Sequence, residues 1–475
     1  MTPPNVVLCL CDQLRAHAVG CYGDLAAQTP HIDRLAAGGV RFDLAMTNNP
    51  VCTPARSSLL SGQYGRTCTG ELGNVADDPP CPRRRRLPAP TLAERFREAG
   101  YQTAVIGKWH LDPAPRTLGF EHAVCPLTIH RYRQQTYIED DRPWFTVGPF
   151  APDYEAGRVR DYLAARGQQP FFLFYNISLP HMPIGAAEMP EAFAGRFDPE
   201  SIPLRPNVFG EDGMAHNETW FKVYTIWDYF WRQWGPCWNA APECGYPGRT
   251  GEQPGDALPP GFDLRHLTAL YYGAVSWTDA LVGQLMAALA DNGLEENTLV
   301  VFLSDHGDNL GSHHLFNKDC LYEESIRIPL VWHWPRGLIP RVNTKQVAQM
   351  VDVAPTLLDL CGLAPVPEMQ GRSLAPLVKG GAETLGLNCA FIETDPSQLG
   401  CPYIGVRTPR HLFAMPLDAE RHPVEGAADW LFDLEADPFE LRNLAETAEG
   451  IAEAAGLRAQ LERWNRRTPW LKVGR

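Results

Sequence analysis

The chain has 475 residues, too many for one ordinary core, and 44% are hydrophobic, so a large, well-buried α/β domain with a smaller partner is expected. A formal net charge of −14 sets the global field against polyanions and argues against a nucleic-acid or anionic-membrane binder, so an anionic substrate would need a locally basic pocket. Thirteen cysteines, an odd number scattered over a long chain, read as reduced and mostly buried thiols instead of a disulfide framework.

Strand-like sequence begins at Asn5, which leaves no room for a cleavable targeting segment. No run approaches the roughly eighteen apolar residues of a membrane span. A cytoplasmic protein is the expectation. Val6 to Leu10 is a continuously apolar run ending at Asp12-Gln13, as a buried parallel strand delivers polar residues to the carboxyl edge of a sheet, where open α/β sheets hold their sites. Cys9 and Cys11 share one strand face and read as core. In Cys52-Thr53-Pro54-Ala55-Arg56 a cysteine stands two residues before a proline and four before an arginine. On its residues alone this is a buried thiol at a Pro-marked turn.

Arg83 to Arg86 reads as a solvated basic loop. Thr91 to Gly100 has helical spacing with a Gly stop, and Tyr101 to Ile106 is the next buried strand, emptying into Gly107-Lys108-Trp109-His110. Phe171 to Ile177 is another core strand, followed by Pro180-His181-Met182-Pro183, whose prolines fix the backbone that presents His181. From about 190 to 260 the composition shifts to Pro, Gly and Trp. Trp227, Trp231 and Trp234 recur at helical spacing, as a packed helix or as an aromatic wall of a pocket. Leu267 to Asn292 is a long helix stopped at Gly293; Asn297 to Leu303 is a strand ending at Ser304-Asp305-His306-Gly307. Val351 to Gly362 reads as a helix with a Gly stop.

These stretches together resemble the type I, formylglycine-dependent sulfatases of the alkaline phosphatase superfamily. The resemblance rests on Cys52-x-Pro54-x-Arg56 followed by Ser57 to Gly62 as the start of a helix, and on Thr29-Pro30-His31-Ile32-Asp33. It rests further on Gly107-Lys108-Trp109-His110, Pro180-His181-x-Pro183, Asp305-His306-Gly307, Gly311-Ser312-His313, Lys318 and Tyr322-Glu323-Glu324-Ser325. It covers the chain apart from roughly 126–168 and 190–260.

The resemblance implies an alkaline-phosphatase-like α/β fold, with a large, mostly parallel mixed sheet sandwiched by helices. It places a catalytic domain at 1–370, holding the Trp-rich insertion, and a C-terminal α+β subdomain with a small antiparallel sheet at 371–475. It implies hydrolysis of a sulfate ester by a formylglycine made from Cys52. Arg56 and Lys108 would hold that nucleophile, His110 would act as base, and His181 and Lys318 would bind the transferring group. His313 joins Lys108, His181 and Lys318 as a substrate-binding candidate. Asp12, Gln13, Cys52, Asp305 and His306 are the implied ligands of a divalent metal. The oxygen-rich set favours Ca²⁺, and the imidazole leaves Mn²⁺ and Mg²⁺ open. Gln after the first Asp, and His after the second, also resemble the phosphonate monoester hydrolase and choline sulfatase branches, whose site serves phosphonate monoesters or phosphodiesters as well. The implied partners are a small anionic ester and a formylglycine-generating enzyme during maturation, and the aromatic-rich insertion is compatible with a homo-oligomer.

Overall fold

The computed structural model describes residues 3–74, 86–127, 130–140, 142–210, 213–214, 218–234, 257–396, 398–424 and 429–471. Arg83 to Arg85 of the arginine run, and Trp238, lie outside the described residues. In chain order the strands are β1 (Asn5–Asp12), β2 (Val40–Met46), β3 (Gln102–Gly107), β4 (His122–Pro126), β5 (Gln135–Glu139), β6 (Phe145–Val147) and β7 (Phe171–Pro180). A two-residue ribbon of β8 (Phe209–Gly210) and β9 (Gly213–Met214) follows, then β10 (Thr298–Ser304), β11 (Leu330–His333), β12 (Arg341–Gln349), β13 (Ala390–Glu393), β14 (Tyr403–Arg407), β15 (His411–Pro416) and β16 (Trp430–Asp433).

Ten of these strands form one sheet in the order β12-β2-β11-β10-β1-β7-β3-β4-β5-β6. The central run β10-β1-β7-β3-β4 is parallel throughout, and antiparallel pairs flank it. This is the mixed, mostly parallel α/β sheet that the sequence implied. The apolar run of β1 explains itself here: Val7, Cys9 and Cys11 enter the core on one face, and Val6, Leu8 and Leu10 the core on the other. The first face is covered by the helices Ala151–Ala165 and Leu264–Asp291, the second by Cys52–Ser61, Leu92–Glu98 and Val353–Leu360. A separate antiparallel sheet β13-β14-β15-β16 packs against the helix Ala448–Arg467, with Leu457, Leu461 and Trp464 against Val406 and Phe413. No helix among the described residues is long and apolar enough to cross a membrane.

Helix starts differ from the sequence reading where a cap decides them. Thr91 and Glu94 close a capping box, so the helix there is Leu92–Glu98. Asp263 accepts from the N–H groups of Arg265 and His266 and starts the long helix at Leu264, three residues before its apolar period is evident. The segment 351–362 divides into a tight turn, Met350–Asp352, and a helix, Val353–Leu360. The helix expected from Ser57 begins at Cys52 itself. Pro54 lies in its first turn, where no backbone donor is required, and the Thr53 N–H donates to Asn74 Oδ1 at 3.0 Å.

Candidate active site

Four parallel strands deliver the site. Asp12 ends β1, Asp305-His306 follows β10, Lys108 follows β3 and His181 follows β7, so all four arrive at the carboxyl edge of adjacent strands. Cys52 enters from the first turn of its helix, whose positive end faces the same point. The exit from β3 requires glycine: Gly107 has φ 96°, and a Cβ there would stand 2.0 Å from the Asn176 carbonyl oxygen. That close approach lets the Lys108 N–H bond the same carbonyl at 3.2 Å and turns the lysine inward.

At the centre is Cys52 Sγ. It lies 2.9 Å from Lys318 Nζ, 3.5 Å from Lys108 Nζ, 3.3 Å from His306 Nε2 and 3.5 Å from Asp12 Oδ1. His110, buried nearby, also lowers the thiol's pKa. Lys108 pairs with Asp12, while Arg56 pairs with Asp305 at 3.0 Å and bonds the Lys108 carbonyl and Asn176 at 3.1 Å. Lys318 Nζ further bonds Gln13 Oε1 at 3.1 Å and His181 Nε2 at 3.0 Å. Every one of these side chains is buried.

The charges are mutually dependent. Burial raises the Cys52 thiol, but Lys108, Lys318, His306 and His110 outweigh it and hold the thiol well below its ordinary value. Burial and Cys52 likewise raise Asp12, and Lys108, His181 and Lys318 reverse the sign, keeping it ionised. Asp305 is pushed up by burial and by Asp12 beside it. Burial and Lys318 bring His181 down to about 3, so it is a neutral imidazole. Its Nδ1 donates to the Met182 carbonyl at 2.6 Å, which leaves the Nε2 lone pair for Lys318.

Asp12, Cys52, Asp305 and His306 each offer a ligand atom, all within 4.8 Å of one another. They suit a cation: two buried carboxylates repel each other, and His306 Nδ1 faces the Gly307 carbonyl at 3.0 Å, so its Nε2 lone pair points at the cluster. Gln13 differs from them. Its Nε2 donates to Asp308 Oδ2 at 2.5 Å, which aims Oε1 at Lys318. His313 is the one candidate that the structure leaves outside this group. With φ 54° its ring turns onto Tyr322, stacked at 3.5 Å, and its Nε2 meets Asn207.

Sequence reasoning missed His130, which lies in the stretch 126–168 that no motif covers. Its ring stacks on His181 with centroids 3.5 Å apart, and its Nε2 is 3.3 Å from Lys108 Nζ. Burial, His181 and Lys108 push it well below an ordinary histidine. Also missed was the role of the insertion. Tyr224, on the helix Glu218–Thr225, donates to Asp308 at 2.9 Å and accepts from the Asn317 N–H at 2.6 Å, next to Lys318. Phe230, on the helix Trp227–Trp234, meets the edge of His130, and Arg131 lies over Trp227, so the tryptophan-rich helix both packs and borders the site.

A family profile described as "Sulfatase" matches residues 4–363, and one described as "N-sulphoglucosamine sulphohydrolase, C-terminal" matches residues 311–467. The chain is 30% identical over 468 residues to the ulvan-active sulfatase of Formosa agariphila, covering 93% of this chain and 77% of that one. A solved structure in complex with its substrate D-glucosamine-2-N,6-O-disulfate superposes with a TM-score of 0.78 at 23% identity, covering 98% of each chain. The phosphonate monoester hydrolase of Agrobacterium radiobacter shares the fold with a TM-score of 0.70 at 23% identity, covering 98% of this chain and 96% of that one.

Proposed function

The chain belongs to the sulfatase family and is a sulfuric ester hydrolase, and we propose from that premise that it acts through a formylglycine made from Cys52 together with one divalent cation. The observation that carries this reading is the surrounding of Cys52 Sγ: two lysines, His306 and Asp12 all within 3.5 Å of one buried sulfur. Formylglycine would supply a hydrated aldehyde as nucleophile, and a cation held by Asp12, Asp305, His306 and residue 52 would lower the pKa of that hydrate and screen the sulfate charge. The oxygen-rich donors favour Ca²⁺, with Mn²⁺ and Mg²⁺ as the alternatives to test.

The chain's own residues divide the remaining work. Lys108 and Lys318 bring two cations against an anionic ester in a site that excludes water, supplying the local positive field that an acidic chain lacks. Arg56, fixed by Asp305 and Asn176, holds the charged pair in place behind the nucleophile. Lys318 Nζ, shared by residue 52, His181 and Gln13, stands where it can stabilise or protonate the leaving oxygen, and His181 orients it. His110, buried close enough to residue 52 to lower its thiol, is the base that removes the proton needed to release sulfate. The neutral His130 stacks on His181 and its Nε2 accepts from Lys108 Nζ, so it holds both side chains in place.

The test is peptide mass spectrometry of the Cys52 segment after co-expression with a formylglycine-generating enzyme. A loss of about 18 mass units marks the step from thiol to aldehyde. An unchanged thiol in a preparation that hydrolyses sulfate esters would refute the proposed nucleophile. Rates on aryl sulfate, phenyl phosphonate and a phosphodiester then rank the ester classes.

A further inference from the structure

A second group of side chains meets away from Cys52, where three distant segments converge. His313 comes from the loop between Asp305 and Lys318, Glu324 from the short helix Glu323–Ile326, and Glu440 from the C-terminal unit. A ring nitrogen of the first and a carboxylate oxygen of each of the others lie within 4.8 Å of one another. Glu324 and Glu440 are almost fully buried, at 1% and 3% exposure.

The charges there do not balance. Glu323 pairs with Arg407 and Glu324 with Arg205, each at 2.7 Å, whereas Glu440 has no ion pair among the described residues. Glu440 Oε2 accepts from the Glu323 N–H at 2.9 Å. Its Oε1, and Oε2 of Glu324, are buried without a hydrogen-bond partner. A nitrogen lone pair is also to spare. The Asn207 amide carries two N–H groups but faces three acceptors: Glu324 Oε1 at 2.7 Å, His313 Nε2 at 3.1 Å and the Phe439 carbonyl at 3.4 Å. The amide can release His313 and keep both oxygens. Tyr322, stacked on the imidazole, fixes its plane.

We propose that His313, Glu324 and Glu440 form a second cation site, separate from the one at Cys52, that takes a divalent first-row ion. Two carboxylates and one imidazole are the mixture of hard oxygen and borderline nitrogen that suits Mn²⁺ or Zn²⁺. An ion there supplies the charge that Glu440 lacks and satisfies both orphaned oxygens. It also ties the Lys318 loop to the insertion, through Asn207, and to the C-terminal unit. The site is structural, and it stands whether or not Cys52 is matured.

Full-length protein stripped with a chelator, reloaded with Mn²⁺ alone and desalted is the material for the test, with bound metal counted per folded chain. The wild type is expected to hold one more Mn²⁺ than Glu440→Gln or His313→Gln, and its thermal midpoint to rise with Mn²⁺ by more than theirs. Asp12→Asn, which strips a ligand from the other cluster, is expected to keep the extra ion. If Glu440→Gln does not fold by circular dichroism, the half-buried His313→Gln carries the count. Equal Mn²⁺ counts in the wild type and in His313→Gln, or loss of all bound Mn²⁺ with Asp12→Asn alone, would overturn the proposal.

Discussion

Replacing Glu155 by Gln should remove a large part of the protein's alkaline instability. Glu155 lies on the helix Ala151–Ala165 at 1% exposure, with Oε1 accepting from the Tyr137 hydroxyl at 2.9 Å and Oε2 beside Gly107, the residue before Lys108. Burial lifts its carboxyl from 4.5 to about 8, against a smaller opposing effect of the Tyr137 hydrogen bond. Below pH 4.5 the folded and unfolded chains both hold the proton. Between 4.5 and about 8 only the folded chain holds it, so stability falls with rising pH by about 1.4 kcal/mol per pH unit, about 5 kcal/mol in all. Above pH 8 the loss is complete. Glutamine keeps the shape and the acceptor but has no proton to lose. Urea unfolding of both proteins at pH 5 to 9 should therefore give a difference that grows in favour of Glu155→Gln up to pH 8 and then levels. Glu188, raised to about 7, and Asp279 and Asp352, raised to about 6, act in the same direction in both proteins and cancel on subtraction. Parallel stability curves for the two proteins would refute the reasoning.

Lys318→Ala should lower kcat by about 10²–10³-fold with a smaller change in KM, because the lysine acts on charge that develops in the transition state; steady-state rates on an aryl sulfate check this. Gly107→Ala should lower stability by about 2–4 kcal/mol, since its Cβ meets a backbone oxygen in a left-handed conformation, and a fall in the thermal midpoint reads it. His130→Ala should lower kcat by roughly tenfold or more by freeing His181, while His130→Phe, which keeps the stacked ring, should recover much of it. Thr91→Ala should cost about 1 kcal/mol in urea unfolding through loss of its capping box.

Much of the site is legible in the sequence because strand ends write it. Asp12, Lys108, His181 and Asp305 each follow an apolar run that could only be a buried strand, so their convergence follows from the parallel order of β10, β1, β7 and β3. His130 is not legible in that way. It stands in the connection between β4 and β5, in a stretch that no motif covers, with φ 62°, and it reaches Lys108 only by tertiary packing. His313 shows the reverse: its local wording matches a substrate histidine, and a left-handed backbone turns the ring onto Tyr322. The start of the Cys52 helix was hidden by Pro54, which usually signals a break but is harmless in a first turn. Glu155 carries no signal in the sequence; it is buried because its helix sets it beside Tyr137 of β5 and Gly107 of β3.

The hydroxyl of Tyr224 joins Asp308, which holds Gln13, to the backbone beside Lys318, and the carbonyl of the same residue accepts from the Ile184 N–H at 2.6 Å, three residues past His181. The tryptophan-rich segment is thus a keystone and not an appendage. A graft that omits the helix Glu218–Thr225 would let go of both flanks of the catalytic floor at once. Recombination between relatives should therefore find its tolerated crossover points outside residues 218–225.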